Sequence, residues 1–69
     1  MQIDTELLDK TAAKLFRELR EKFFDKAVEE DEVHEEEDKI LFDIIVELGL
    51  TNAAKELRRN YEEILHYFA

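Results

Sequence analysis

The side chains best suited to chemistry in this sequence are two histidines, each preceded by carboxylates. The letters EDEVH end at His34 and the letters EEILH end at His66, so an acid lies three residues before each imidazole. On a helix, residues i and i+3 project from the same side, and a carboxylate with an imidazole can bind a metal ion there. The candidate metal ligands are therefore Asp31, His34, Glu63 and His66.

This E-[E/D]-x-x-H spacing resembles the ligand motif of ferritin-like dimetal carboxylate bundles. The resemblance implies iron oxidation or oxygen activation inside a helical bundle, where the ligands must point inward. Helical periodicity instead puts His66 on the side opposite Leu57, Ile64 and Phe68. His34 does continue the apolar face of the next helix, which would give half a site in a dimer. We predict no resident metal or other cofactor and retain the dimetal bundle as the third functional hypothesis.

Other catalytic chemistry has little support in the composition. The chain has no Cys, no Ser and one Gly, so thiol and serine nucleophiles and a glycine-rich phosphate loop are excluded. A bundle this thin offers little room for a cleft. We therefore predict that the protein is not an enzyme.

Acidic residues are concentrated in one segment, the run EEDEVHEEED at positions 29–38. The run could act as a decoy that mimics the charge of DNA, or as a docking surface for a basic protein; the structural interpretation is a solvated helix start. His34 is surrounded by these carboxylates, which favours a raised pKa and suggests pH-sensitive assembly. We expect Glu30, Asp31, Glu35 and Glu36 to belong to any interaction surface.

Composition indicates a folded acidic domain. The net charge is −9, yet 45% of the 69 residues are hydrophobic, which separates the chain from disordered acidic tails. The charge disfavours binding to nucleic acid without excluding it, and favours basic partners. No apolar run approaches the ~20 residues of a membrane span, and no signal sequence is recognisable, so we expect a soluble, cytoplasmic protein. A core this small, without disulfides, usually needs self-association, and we predict a homodimer.

The elements that must position these residues centre on the segment Ile40–Leu48. Seven of its nine residues are large and apolar, which predicts a central helix covered on at least two sides. Before it, Leu8, Ala12, Leu15, Leu19 and Phe23 form one stripe that predicts a helix over 5–28, with Asp4 as its cap and Ile3 packed on Leu8. Phe24 lies off this stripe and, with Phe42 and Val46, forms the predicted dimer surface.

The connection between the first two helices has two interpretations. A reversal near 28–32 would relieve repulsion among the acids and place them at the N-terminus of a second helix over 32–48. The sequence there lacks Gly, Pro, Asn and Ser, so one long helix reaching Leu48 and pairing with a second chain stays open. Gly49 then ends the helix, and Thr51 or Asn52 caps a third helix over 51–68.

The segment 49–68 resembles the helix-turn-helix of bacterial and archaeal transcription regulators. In the first helix of that motif, Thr51 takes the cap position, Ala53 and Ala54 take the positions where the two helices cross closely, and Leu57 fills the space between them. The buried positions of the second helix are taken by Ile64, Leu65 and Phe68. The resemblance covers 20 of 69 residues and implies a turn at 58–60, with DNA contacts from Arg58, Arg59, Asn60 and His66. Glu62 and Glu63 depart from the pattern, because they repel the DNA backbone. The region also resembles a ubiquitin-associated three-helix domain.

We therefore predict an all-α, three-helix bundle that forms one domain over residues 1–69. Its predicted function is non-catalytic: a small acidic interaction or regulatory module that self-associates. The second hypothesis is a helix-turn-helix regulator.

Overall fold

A computed structural model describes residues 4–69, and these form four α-helices with no strand among them. The helices are α1 (Thr5–Glu18), α2 (Arg20–Glu30), α3 (Glu35–Glu47) and α4 (Thr51–Phe68). The all-α class is confirmed. The predicted packing of Ile3 on Leu8 involves a residue outside the described part of the chain.

The predicted first helix is interrupted at Leu19, which separates α1 from α2. Asp4 caps α1 as predicted, with its carboxylate accepting a hydrogen bond from the Leu7 N–H at 3.2 Å. The Leu19 N–H still donates to the Leu15 carbonyl and the Phe23 N–H to the Leu19 carbonyl. The helical direction therefore continues through the break with a small local irregularity.

The chain reverses between α2 and α3, and the single long helix is wrong. Asp31 adopts a left-handed conformation (φ 52°), and the Glu32 N–H donates to the Ala27 carbonyl, which is the geometry of a Schellman helix end. Asp31 thus occupies the position usually taken by glycine. Gly49 (φ 81°) ends α3 in the same way, with the Leu50 N–H donating to the Ile45 carbonyl, as the glycine stop predicts.

The central helix is α4, and the prediction that Ile40–Leu48 is covered by both flanking helices is wrong. α4 packs against α1, α2 and α3, whereas no Cα atom of α3 lies within 8 Å of one in α1 or α2. The core cluster consists of Ile45, Leu50, Ala53, Ala54 and Leu57. Only Ile45 of the apolar middle segment is buried, because α3 has a helix on one side alone.

The buried face of α1 also differs from the predicted stripe. Asp9 and Ala13 are the buried residues of α1, while Leu8 and Leu15 are exposed. The small Ala53 and Ala54 on α4 let the two helices approach closely, and Ala13 is buried on α1 where the leucines are not. Leu8 and Leu15 of the predicted stripe are therefore left largely exposed.

Candidate interaction surface

The first feature that could bind a partner is a row of aliphatic side chains on α3, here called the outer stripe. It consists of Ile40, Ile44 and Leu48, which are 60%, 52% and 58% exposed. Their spacing of four residues aligns them along the helix, and Asp43 and Glu47 line the same shallow hollow. Three large aliphatic residues in one row, each more than half exposed, are unusual on the surface of a monomeric protein.

The second feature is a cleft between α2 and α3, floored by α4 and here called the acidic groove. Phe23 and Leu41 form its apolar walls, and Leu57 and Ile64 lie in its floor; its volume is ≈ 230 Å³. Its lips carry acids from both sides: Glu30 and Glu32 from the end of α2, Glu37 and Asp38 from the start of α3. An apolar floor between two acidic lips is complementary to a ligand with one apolar and one cationic face.

The surroundings of the groove shift the pKa values of two of its titratable groups, His34 and Asp38. The Nε2 of His34 lies 3.1 Å from Oε2 of Glu30, and this hydrogen bond raises the pKa of His34, with further contributions from the charges of Glu32 and Glu37. Burial raises the pKa of Asp38, and the His34 charge opposes that shift. The direction expected for His34 is therefore confirmed.

Tyr61 lies beside the groove and extends toward the acidic start of α3. Its hydroxyl is a buried polar atom without a hydrogen-bond partner among residues 4–69. Burial raises the pKa of Tyr61, and the nearby charges of Glu35 and Asp38 act in the same direction. Tyr61 and Asn60 thus add polar groups of α4 to the lining of the groove, beside the apolar Leu57 and Ile64.

The predicted metal ligands do not come together. No three His, Asp or Glu side chains in the described residues are placed to hold a metal ion. Asp31 forms the turn, His34 bonds to Glu30, and Glu63 and His66 line a wide surface hollow at the far end of α4. The structure therefore offers no core dimetal site within residues 4–69.

The residues proposed to contact DNA lie on one uninterrupted helix. α4 runs from Thr51 to Phe68, so the turn at 58–60 implied by the helix-turn-helix resemblance is not formed. Asn60 is buried, Arg58 pairs with Glu62 at 3.0 Å, and Arg59 approaches Glu56 at 3.8 Å. His66 is exposed. Asn60 is therefore inaccessible to DNA, whereas Arg58, Arg59 and His66 lie on the exposed surface of α4.

Of the predicted dimer surface, only Val46 is openly exposed. Phe24 packs edge-on against Tyr67, with ring centroids 5.3 Å apart, and Phe42 packs against the core. Among the predicted acids, Glu30 forms a lip of the groove, Asp31 forms the turn, and Glu35 and Glu36 lie in the first turn of α3. The predicted surface is divided between several places and does not form one patch.

The most connected polar residue, Asp9, was not predicted. Its Oδ1 accepts from the Ala53 N–H at 2.8 Å, and its Oδ2 accepts from the Asn52 N–H at 3.2 Å and from the Asn52 side chain at 2.9 Å. The hydrogen bond from Ala53 lowers the pKa of Asp9, against a smaller opposing effect of burial. Asp9 thus caps α4 from another helix, and the predicted capping by Thr51 or Asn52 is wrong.

A second polar group joins α4 to the break between α1 and α2. The buried Asn60 donates through Nδ2 to the Phe16 carbonyl at 2.9 Å and accepts from Arg20 Nε at 2.7 Å. Arg20 also pairs with Glu56. Because α1 ends at Glu18, the carbonyls of its last turn need partners outside the helix, and Asn60 supplies one.

Comparison of the chain with protein-family models, curated proteins and solved structures gives no match. No helix within residues 4–69 is both long enough and apolar enough to cross a membrane. The functional assignment therefore depends on the surface features described above.

Proposed function

We propose that this chain is a non-catalytic protein-interaction module that self-associates through the outer stripe of α3. The observation that supports the proposal is the exposure of Ile40, Ile44 and Leu48 on a helix that packs only against α4. A second copy would remove the exposed half of these side chains from water, which is worth on the order of 1 kcal/mol for each residue.

The size of the core supports self-association. No large side chain of the described residues is fully buried, and the chain has no cysteine to form a disulfide. Domains of this size commonly gain the missing stability from a partner. A second copy is the one partner that is present wherever the chain is present.

The geometry of the stripe suits a helix–helix contact. A row at i, i+4 and i+8 forms a ridge along α3, and such ridges pack into the grooves of a neighbouring helix. Charge opposes the contact, because Asp43 and Glu47 flank the stripe and each copy carries a net charge of −9. Added salt should therefore strengthen the dimer by screening this repulsion.

Sedimentation equilibrium of the full chain at 50 mM and 500 mM NaCl tests the proposal, with Ile44→Lys as the disrupting variant. We expect the wild-type chain to form a dimer whose dissociation constant falls as salt is added. Ile44→Lys should raise that dissociation constant at least about 30-fold, because it buries a lysine in the dimer interface. The matched control is Val46→Lys, because Val46 is 50% exposed on the same helix but lies on another side. This control should change the constant less than about threefold.

Each alternative result has a distinct meaning. A wild-type chain that stays monomeric at millimolar concentration in both salts would overturn the proposal. If Val46→Lys dissociates the dimer and Ile44→Lys does not, the proposal would also be overturned. The dimer interface would then lie on the side of α3 that carries Phe42 and Val46.

A further inference from the structure

We propose that the acidic groove between α2 and α3 binds a cationic amphipathic helix of a partner protein. The inference builds on the proposed interaction function, but it uses different side chains from those of the outer stripe.

The shape of the groove fits a helix. Helices that pack directly have axes about 8–10 Å apart, yet α3 has no Cα atom within 8 Å of α1 or α2. The two walls are thus held apart, with α4 as the floor beneath them. A cleft of ≈ 230 Å³ admits the apolar side chains of a helix that lies across its mouth, which is the helix-in-groove mode of recognition.

The lining of the groove requires an apolar ligand face. Phe23 and Leu41 are exposed on opposite walls, and the buried Leu57 and Ile64 lie between them on α4. The lining residues of α2 run from Phe23 to Glu30, which is about 12 Å at 1.5 Å per residue. About two turns of a ligand helix therefore face the groove.

The charge at the lips selects the polar face of the ligand. Glu30 and Glu32 lie on one lip, and Glu37 and Asp38 on the other, with His34 between them; Lys26 is the basic residue that also lines the groove. Acids on both lips match Lys or Arg on both flanks of an incoming helix. A second copy fits poorly, because it brings its own segment 29–38 with eight acids in ten residues.

The direct test measures binding of designed peptides to the full chain by fluorescence anisotropy. The probe is an 18-residue peptide of Leu and Lys with Leu at i, i+3, i+4 and i+7. Two control peptides are used: one has the same composition in scrambled order, and one has Glu in place of every Lys. We expect the amphipathic Lys peptide to bind at least about tenfold more tightly than the scrambled peptide, and the Glu peptide not to bind.

Two matched pairs of variants separate the groove from general attraction to an acidic protein. Glu30→Gln/Glu32→Gln/Glu37→Gln should weaken binding at least about tenfold, whereas Glu6→Gln/Glu18→Gln/Glu21→Gln, with the same change in net charge away from the groove, should weaken it less than about threefold. Leu41→Asn should weaken binding and Leu7→Asn should not, because both leucines are exposed but only Leu41 lines the groove.

Equal losses for the two triple variants, or equal binding of the ordered and scrambled peptides, would overturn the inference and assign the binding to net charge. The same samples report on self-association. A salt-strengthened dimer without groove-specific peptide binding would overturn only this inference, whereas peptide binding by a chain that stays monomeric would overturn only the proposed self-association.

Discussion

The two sides of α4 are held by different kinds of contact. On the side of α1 and α2, the carboxylate of Asp9 caps α4 and Asn60 joins the broken helix at Phe16. On the side of α3, no hydrogen bond or ion pair between side chains links α3 to another helix within residues 4–69, and Ile45 is its one buried residue.

This difference indicates a division of roles. Polar contacts with fixed geometry specify one arrangement, because a misplaced partner leaves buried donors and acceptors unpaired. Apolar contacts tolerate adjustment and can be shared with another molecule. The α1–α4 contact therefore sets the fold, and α3 presents the surface that remains available for binding.

The largest loss of stability is expected from Asp9→Ala, because it leaves the N–H groups of Asn52 and Ala53 without their acceptor. We expect the melting temperature followed by circular dichroism to fall by about 10 °C or more. Asp25→Ala is the control, since Asp25 is exposed on α2, and it should change the melting temperature by less than about 3 °C. Equal effects of the two variants would contradict the capping role.

The same carboxylate predicts a pH dependence with a definite sign. The pKa of Asp9 is lowered from 3.8 in the folded chain, so its stabilisation is complete above that value and is lost as pH falls through the folded pKa. The difference in melting temperature between wild type and Asp9→Asn should thus be constant from pH 7 to pH 5 and shrink below pH 4. A constant difference down to pH 2 would contradict the assignment.

A smaller loss is expected from Asn60→Leu, which removes the link to the break at Leu19. The Phe16 carbonyl and the Arg20 guanidinium would lose a partner, at a cost of about 1–3 kcal/mol in the free energy of unfolding by urea. Asn60→Asp retains the acceptor for Arg20 but places a carboxylate against the Phe16 carbonyl, so it separates the two bonds. If Asn60→Leu is as stable as wild type, the bonds of Asn60 to Phe16 and Arg20 contribute nothing.

The features predicted from sequence are those determined by local patterns. The helical class, the cap at Asp4, the stop at Gly49 and the apolar face of Ala53, Leu57 and Ile64 each follow from residues within one or two turns of each other. Asp31 ends α2 with a positive φ, as Gly49 ends α3. The sequence does not predict this helix end, because a left-handed conformation is uncommon for aspartate.

The missed features depend on contacts that are distant in sequence. Asp9 reads as one more surface acid in an amphipathic helix, because the N–H groups it accepts from lie 43 and 44 residues away. Because Ile40–Leu48 consists mostly of apolar residues, the sequence predicts that their side chains are buried. Composition does not distinguish burial against helices of the same chain from burial against another molecule. That ambiguity produced the wrong choice of central helix and is the reason α3 is the candidate surface.

The smallest predicted effect concerns the turn that joins the two sides of α4. Because the hydrogen bond to Glu30 raises the pKa of His34 above 6.5, its stabilisation is present below pH 6.5 and is lost as pH rises through the folded pKa. Glu30→Gln should lower the His34 pKa measured by NMR titration, and should lower the melting temperature by about 1–2 °C at pH 6 but not at pH 8.5, since both side chains are partly exposed.

The control is Glu29→Gln, which removes a neighbouring acid that does not contact His34. This variant should leave the pKa of His34 unchanged. The charges of Glu32 and Glu37 also raise the pKa of His34, so part of the shift should persist in the Glu30→Gln variant; Asp38 lies near enough for the His34 charge to lower its pKa. If the dimer fraction is the same at pH 5 and pH 8 while the titration is observed, His34 adjusts the turn alone and the expectation of pH-sensitive assembly fails. If the dimer fraction changes and Glu30→Gln abolishes the change, the turn couples protonation of His34 to dimerisation, and the side of the molecule with few polar contacts is the side that responds to pH near neutrality, whereas Asp9 responds only in acid.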